Sequence, residues 1–424
     1  MELRGSFVKL RVIVNLAIVV ILLLTKENII ADTIYVAEKT NISRISEAIE
    51  KSSTGDIIIV QQGFYQEGNI VINKQLSLIG IGYPVIDGGK TNEVFTILAD
   101  SVRLSGFQVQ NCGVSYVKDL AGIKIDNFSH CIIENNKLIN TFFGIYLKNA
   151  NHCIIRNNNI EGKARDEFSS GNAIHIWYSK EILVDGNTCI QHRDGIYFEF
   201  VENSTIIRNI SEKNLRYGLH FMFSNHDDYI GNTFRNNGAG VAVMFSNHII
   251  MKENLFEDNW GSNAYGLLLK DITDGEISNN RFIENTIGIY GDGANRIKME
   301  SNEFRNNGWA LKILGSCAGN VIAGNNFISN TFDVLTNNST NYNEYNGNFW
   351  SDYTGYDLDR DGAGDVPYKP VKLFSLVAGK VPSAIILLRS PFVDLINFAE
   401  KVMPSLTPQT LEDKYPLMKQ VTFR

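Results

Sequence analysis

The sequence predicts an all-β fold, a right-handed parallel β-helix solenoid of 22- to 23-residue coils, and three observations carry that expectation. First, small residues open short apolar strands at Gly122, Gly144, Ala173, Gly195, Gly218, Gly240, Gly266, Gly288 and Ala310, at intervals of 22, 29, 22, 23, 22, 26, 22 and 22. Fixed periodicity of this length marks stacked repeats. Second, an Asn recurs along the coils (Asn136, Asn158, Asn187, Asn232, Asn254, Asn280, Asn302, Asn325), five of them eight residues before an opening, followed two places on by an apolar residue, Phe in the later coils. Between Asn187 and Asn232 one rung breaks the rule, with Ile210 where the Asn is expected. Third, strings such as GIYL, GIYF, GLHF and GVAV are too brief and too rich in β-branched and aromatic residues for helical repeats. Residues one period apart then stack at about 4.8 Å, so function is to be sought in columns.

Taken in order, residues 1–31 read as a signal peptide. Arg4, Lys9 and Arg11 precede an apolar run from Val12 to Leu24, interrupted by Asn15, which is short for a bilayer span of about 20 residues. Cleavage is expected after Ala31, with an uncleaved anchor as the alternative, and export is expected. Residues 32–95 form an N-terminal cap and the first coils. ISRISEAIEKSS, with Ser43 as N-cap and Ile45, Ala48 and Ile49 on one face, predicts a short helix that covers the open strand edges. Residues 96–350 are the regular β-helix. Two longer intervals place extra residues near 161–172 and 257–265, and such insertions gather on one face. Residues 351–424 form an Asp/Gly-rich loop and a helical arm, opened at Ser390-Pro391 with Phe392, Leu395, Ile396 and Ala399 recurring on one side. That arm reads either as a docking surface for a partner or as a lid over the last coil.

The chain's 424 residues fit one elongated body rather than two or three domains, because a solenoid buries its core coil on coil. A net charge of −7 without a Lys/Arg run excludes nucleic-acid binding. Of five Cys, Cys189 occupies the apolar slot of its coil and reads as core, whereas Cys131 and Cys153 stack on neighbouring coils, each after a His. A disulfide, a free thiol pair, a soft-metal site and inert packing all remain open for them.

Counting from each small residue, the first and third positions are apolar and point inward, so the second and fourth point outward. The second column runs Lys124, Tyr146, His175, Tyr197, His220, Ala242, Leu268, Tyr290, Lys312, and the fourth runs Asp126, Lys148, Trp177, Glu199, Met222, Met244, Lys270, Asp292, Leu314. The middle four coils thereby expose His175, Trp177, Tyr197, Glu199, His220, Met222 and Met244 together. Imidazoles and thioethers suit copper, Cu(I) above all, held transiently by His175, Glu199, His220, Met222 and Met244. The same surface, through Trp177 and Tyr197, also suits protein docking, a role shared by Phe392, Leu395 and Ile396 on the arm.

In DLDRDGAGD, Asp357, Asp359 and Asp361 alternate before Gly362, with Asp365 ninth, as in the first part of an EF-hand loop for structural calcium. Tyr368 stands twelfth, where a bidentate Glu is needed, so a metal-free Asx-rich turn is the alternative. Catalysis is weakly indicated. Glycoside hydrolysis needs carboxyls about 5 to 9.5 Å apart, yet Asp126 and Glu199 lie three coils, or about 14 Å, apart. Arg193 and Arg216 near His192 and Asp194 leave a polysaccharide lyase, or a secreted carbohydrate-binding protein, as the rival reading.

The strings GNAIHIW from Gly171, DGIYFEFV from Asp194, RYGLHFMFS from Arg216, NAYGLLLKDI from Asn263, NGWALKI from Asn307 and FWSDYTGYDLDRDGAGDVPY from Phe349 resemble the NosD family, and the likeness runs on through LLRSPFVDLINFAEKVMPSLTP. The resemblance implies a non-enzymatic periplasmic accessory protein for nitrous oxide reductase maturation. It implies a β-helix bound to an ABC transporter (NosF ATPase, NosY permease) that helps deliver copper or sulfur to the reductase's copper-sulfide centre, with the copper lipoprotein NosL as donor. It brings no copper ligands onto named residues, and Ala242 and Leu268 leave the upper histidine column without donors.

Overall fold

The computed structural model describes residues 31–422 apart from 116, 169, 263, 339–341, 389 and 404–410, and leaves the side chains of 382 and 401 undescribed. The expected signal segment up to residue 30 and the PSLTP stretch of the arm therefore lie outside the described residues. Between Thr33 and Trp350 the chain winds as a parallel β-solenoid whose strands form three sheets of 14, 12 and 13 strands, every neighbour in a sheet coming from the next coil. The Gly-opened strands make the 12-stranded sheet. Its inward residues, Ile174, Ile176, Ile196, Phe198, Leu219, Phe221, Val241 and Val243, have no exposed surface.

The predicted Asn column is a continuous hydrogen-bonded ladder. Each Asn Oδ1 accepts both the backbone N–H and the Nδ2 of the preceding coil's Asn, as in Asn232 to Asn254 (2.9 and 3.0 Å) and Asn254 to Asn280 (2.9 and 3.0 Å). Nδ2 also donates to a backbone carbonyl, Asn254 to Tyr229 at 2.9 Å. The buried amide is thus fully used. The expected break is corrected here: Asn209, one residue before Ile210, accepts from Asn187 and donates to Asn232. What changes in that coil is the core slot, where Ser211 stands between Cys189 and Phe234 and its hydroxyl donates to the Gly218 carbonyl at 2.7 Å. Elsewhere the slot is an aromatic stack, Phe256–Phe282–Phe304–Phe327–Trp350, with ring centroids 4.1–4.9 Å apart.

A second ladder, not anticipated from sequence, runs along the corner after the 13-stranded sheet through Asn214, Asn237, Asn259, Asn285, Asn307 and Asn330. Each follows a residue in the left-handed region, from Lys213 (φ 56°) to Ser329 (φ 52°).

Both ends are closed. At the N-terminal end helix α1 (Ile45–Lys51) buries Ile45, Ala48 and Ile49. Its start differs from expectation: Arg44 is the N-cap and caps nothing with its side chain, while Glu67 from the next coil accepts the Ile45 and Ser46 N–H groups at 2.6 and 3.0 Å. A carboxylate facing a helix N-terminus does the work expected of Ser43. At the other end the first Asn ladder terminates on Asp413, whose carboxylate accepts from the Gly347 and Asn348 N–H groups, Asn348 Nδ2 and Trp350 Nε1. Residues 411–421 therefore cap the last coil. Helix α2 (Leu373–Lys380) presses Phe374 and Ala378 onto Phe332, and helix α3 (Pro391–Val402) adds Val393 and Ile396 to that cluster. The C-terminal segment is in part the lid that sequence left as an alternative.

Two outcomes follow. Asn254→Ala strands several buried N–H and C=O groups and is expected to lower stability by about 2–4 kcal/mol in urea unfolding; a loss below about 0.5 kcal/mol contradicts the ladder's role. Asp333, under the lid, is held up at about 7 by burial and then by Asp352. A buried carboxyl with a raised pKa is tolerated while protonated and penalised once ionised, so stability falls as pH rises from about 4 through 7. Hydrogen exchange in Leu373–Lys380 should accelerate across that window, and Asp333→Asn should flatten the dependence; identical profiles for both proteins contradict it.

Candidate functional site

The four middle strands, Ile174–Lys180, Ile196–Glu202, Tyr217–Met222 and Ala239–Met244, pair in the register read from sequence. His175 faces Tyr197, Tyr197 faces His220 and His220 faces Ala242; Trp177, Glu199, Met222 and Met244 follow one another in the next column.

Exposure differs from expectation. Tyr197 (8 %) and His220 (4 %) are buried and His175 is half-buried, because Phe143 and Tyr217, at the starts of their strands, pack over that column. Tyr146, His175 and Tyr197 stack at 4.7 Å spacings, Phe143 packs edge-on against His175, and Tyr217 lies 4.7 Å from the His220 ring. Trp177, Glu199, Met222 and Met244 remain half-exposed. The outward wall is therefore one open column beside one roofed column.

The roofed column is electrostatically organised by Asp194, which is fully buried. Arg216 grips its carboxylate through Nε (2.9 Å) and Nη2 (2.5 Å), and His220 Nδ1 lies 3.9 Å away. Burial opposes ionisation of Asp194, but the neighbouring His220 ring and the hydrogen bonds from Arg216 outweigh it and hold the carboxyl at about 2. A carboxylate so paired and so far from solvent is no free base. Burial also lowers His220, and burial followed by the Arg193 charge brings His175 down to about 3. Both imidazoles are neutral at pH 7, the state a metal requires. His220 Nε2 is buried without a partner, whereas His175 Nδ1 meets Asn172 Nδ2 at 3.0 Å.

Of the five residues expected to hold copper, three do not converge with the others. Tyr197 Oη reaches both Glu199 Oε2 (3.2 Å) and Met222 Sδ (3.6 Å), which brings Glu199 and Met222 to one hydroxyl. His220 turns to Asp194, His175 lies among aromatic rings, and Met244 packs against Ala242, Tyr265 and Leu268. Thioethers and neutral imidazoles suit Cu(I), and here they are spread along the wall rather than gathered at one point.

Sequence reasoning passed over the neighbouring column. Tyr178, Phe200, Phe223 and Phe245 follow the open column by one residue and stack with centroids 4.6, 5.1 and 5.1 Å apart and planes within 16°. All four are left-handed (φ 48–54°), where the flanking coils place Asn127, Asn149 and Asp271. Asn and Asp enter that region readily and aromatic residues do not, at a cost of roughly 1 kcal/mol or more each. Four coils bear that cost to display an aromatic ridge, with Tyr178, Phe223 and Phe245 at 39–50 % exposure. The signal was present as a run of aromatics in a column whose neighbouring coils hold Asn127, Asn149, Asp271 and Gly293.

On the arm, Phe392 and Leu395 are exposed, as docking requires, and Phe398 and Val402 extend that ridge; Ile396 instead faces the solenoid. In the Asp-rich loop, ligand oxygens of Asp357, Asp359 and Asp361 lie within 4.8 Å of one another, the sole such grouping of three or more His, Cys or acidic residues among those described. Asp365 is not in that group and accepts the Leu358 N–H at 2.6 Å. Asp357 and Asp361 already accept backbone N–H groups of Arg360, Gly362 and Ala363, and Tyr368 donates to Asp333 beneath the lid. An Asx-rich turn accounts for these bonds. All five Cys are free thiols and buried, Cys131 and Cys153 on adjacent coils and Cys189 in the core.

Residues 157–355 match the family described as "Periplasmic copper-binding protein (NosD)". The "Probable ABC transporter binding protein NosD" of Pseudomonas aeruginosa is 30% identical over 376 residues, covering 83% of this chain and 86% of that protein. Among solved structures, the Dettilon tailspike protein gp208 superposes with a TM-score of 0.57 at 14% identity, over 74% of this chain and 70% of that one. A PL6 alginate lyase reaches 0.56 at 11%, over 76% and 85%. These two likenesses are of fold alone. No helix among the described residues is long and apolar enough to cross a membrane. On the extent and identity of the match to its Pseudomonas relative, this chain belongs to the NosD family.

Proposed function

We propose that this chain is a non-enzymatic periplasmic accessory protein for assembly of the copper-sulfide centre of nitrous oxide reductase. It works with an ABC transporter (NosF ATPase, NosY permease) and takes copper from the lipoprotein NosL. The observation that carries the reading is the concentration of Trp177, Met222, Met244 and the Tyr178–Phe200–Phe223–Phe245 ridge on four successive coils of one face. Exposed thioethers and aromatics in that density are the composition of a recognition surface. On this reading the copper donor or the reductase docks there. Met222, Met244, Glu199 and the neutral His175 and His220 form a graded set of weak donors rather than a closed site, which suits transfer more than storage. The exposed Phe392, Leu395 and Phe398 ridge docks on the permease. In the same reading the Asp357, Asp359 and Asp361 loop holds structural calcium beside the arm, and residues 1–31 direct export.

Three measurements test it. A deletion strain is expected to make reductase lacking the copper-sulfide absorption; normal spectra remove the proposal. His220→Ala, Met222→Ala and Met244→Ala together should reduce Cu(I) retained under reducing conditions at least severalfold, and unchanged retention would falsify the copper patch. Leu395→Asp with Phe398→Asp, both solvent-facing, should abolish co-purification with the permease while leaving the circular dichroism of the solenoid intact; retained co-purification contradicts the docking arm.

A further inference from the structure

The corner that carries the second Asn ladder changes chemistry abruptly. From Asn330 down to Asn214 each ladder amide is satisfied by the next coil, and Asn214 accepts the His192 N–H at 3.0 Å. Below that point the register puts Lys163, Thr141 and Cys112 under His192, and the chain spends its longest interval, 29 residues, looping out around residues 161–172. The result is a cavity of about 410 Å³ lined by His192, Thr141, Ser170 and Cys112, with Lys90 and Lys163 among its walls. His192 (2 % exposed) and Thr141 (6 %) are buried, and His192 Nε2 and Thr141 Oγ1 have no hydrogen-bond partner. A buried polar atom left unpaired costs about 1–3 kcal/mol, and here two share one cavity where the ladder's solution has been given up. Gly162 has no side chain to close it: a Cβ there would lie 2.9 Å from His192 Nε2.

The lining selects the ligand. It contains two lysines and no Asp or Glu among the described residues, in a chain whose net charge is −7. Thr141 and Ser170 offer hydroxyl donors, and Asn140 adds an amide. A cation finds no counter-charge. A soft metal finds only Cys112, whose sulfur already accepts the Phe142 N–H at 3.0 Å and whose thiol is pushed up to about 11, chiefly by burial. We infer that this cavity is a binding site for a small oxyanion, an inorganic phosphate or sulfate or the carboxylate of a sugar acid, held by Lys90 and Lys163 and completed by Thr141 and His192. It lies on a different corner from the aromatic ridge and does not depend on the copper reading.

Isothermal titration of the purified full chain with inorganic phosphate, sulfate and glucuronate tests it. Saturable one-to-one binding of at least one probe is expected. Binding confined to phosphate and sulfate assigns the inorganic source, and binding of glucuronate the sugar acid. The surface double variant Lys90→Ala/Lys163→Ala should weaken binding by about tenfold or more, since both contacts are charge-assisted. Thr141→Val, which removes the orphaned hydroxyl at nearly constant shape, should weaken binding while melting no lower than the parent. Absence of saturable binding for all three probes, or equal affinity in the lysine double variant, overturns the inference. Binding of Cu(I) or Zn(II) that is lost on Cys112→Ser also overturns it.

Discussion

Everything in this molecule depends on register between coils, and register is held by buried amides that satisfy one another. An Asn in the corner after the 14-stranded sheet accepts two hydrogen bonds from the coil before it and passes two to the coil after it. A slip by one residue would leave every one of those groups unpaired in a medium where each costs about 1–3 kcal/mol. The apolar stack beside the ladder tolerates sliding; the ladder does not. Side chains far apart in sequence can therefore be placed in one column with the precision of a backbone hydrogen bond.

That precision is what converts a repetitive scaffold into a site. The same period that makes the core uniform lets four coils depart from it together, replacing Asn and Asp at a left-handed corner with Tyr178, Phe200, Phe223 and Phe245 and placing thioethers beside them. The departures are confined to positions whose side chains carry no core packing. The buried Asp194 carboxylate, paired with the half-buried Arg216 guanidinium, anchors the roofed column beneath, so that function on the surface is bought with charge burial rather than with the ladder.

Much of this was legible in the sequence, because spacing and two-residue alternation are sufficient to assign columns. The pairing of His175 with Tyr197 and of Met222 with Met244 is as counted. Exposure was not legible, since what covers His175 and His220 is Phe143, Tyr217 and Arg216, which stand just before the small residues from which the columns were counted. The apparent gap at Ile210 arose because Asn209 stands nine rather than eight residues before Gly218 and Ser211 removes the apolar marker after it, while Asn209 kept the hydrogen bonds. The cap by Asp413 was invisible for another reason: it closes a ladder from 65 residues away in sequence, beyond any local signal. Aromatics at positive φ defeat propensity reasoning, because only stacking on like neighbours makes that conformation worthwhile.

The most direct test of the account is cross-linking along the open column. In the assigned register Met222 and Met244 are Cα partners on adjacent parallel strands, about 4.8 Å apart, within reach of a disulfide. The variant Met222→Cys/Met244→Cys should oxidise rapidly and quantitatively in the folded chain, while Met222→Cys/Phe245→Cys, displaced by one residue to a different column, should not. Equal oxidation of both pairs, or efficient bonding only in the displaced pair, would contradict the coil register on which the wall, the ridge and the ladders rest.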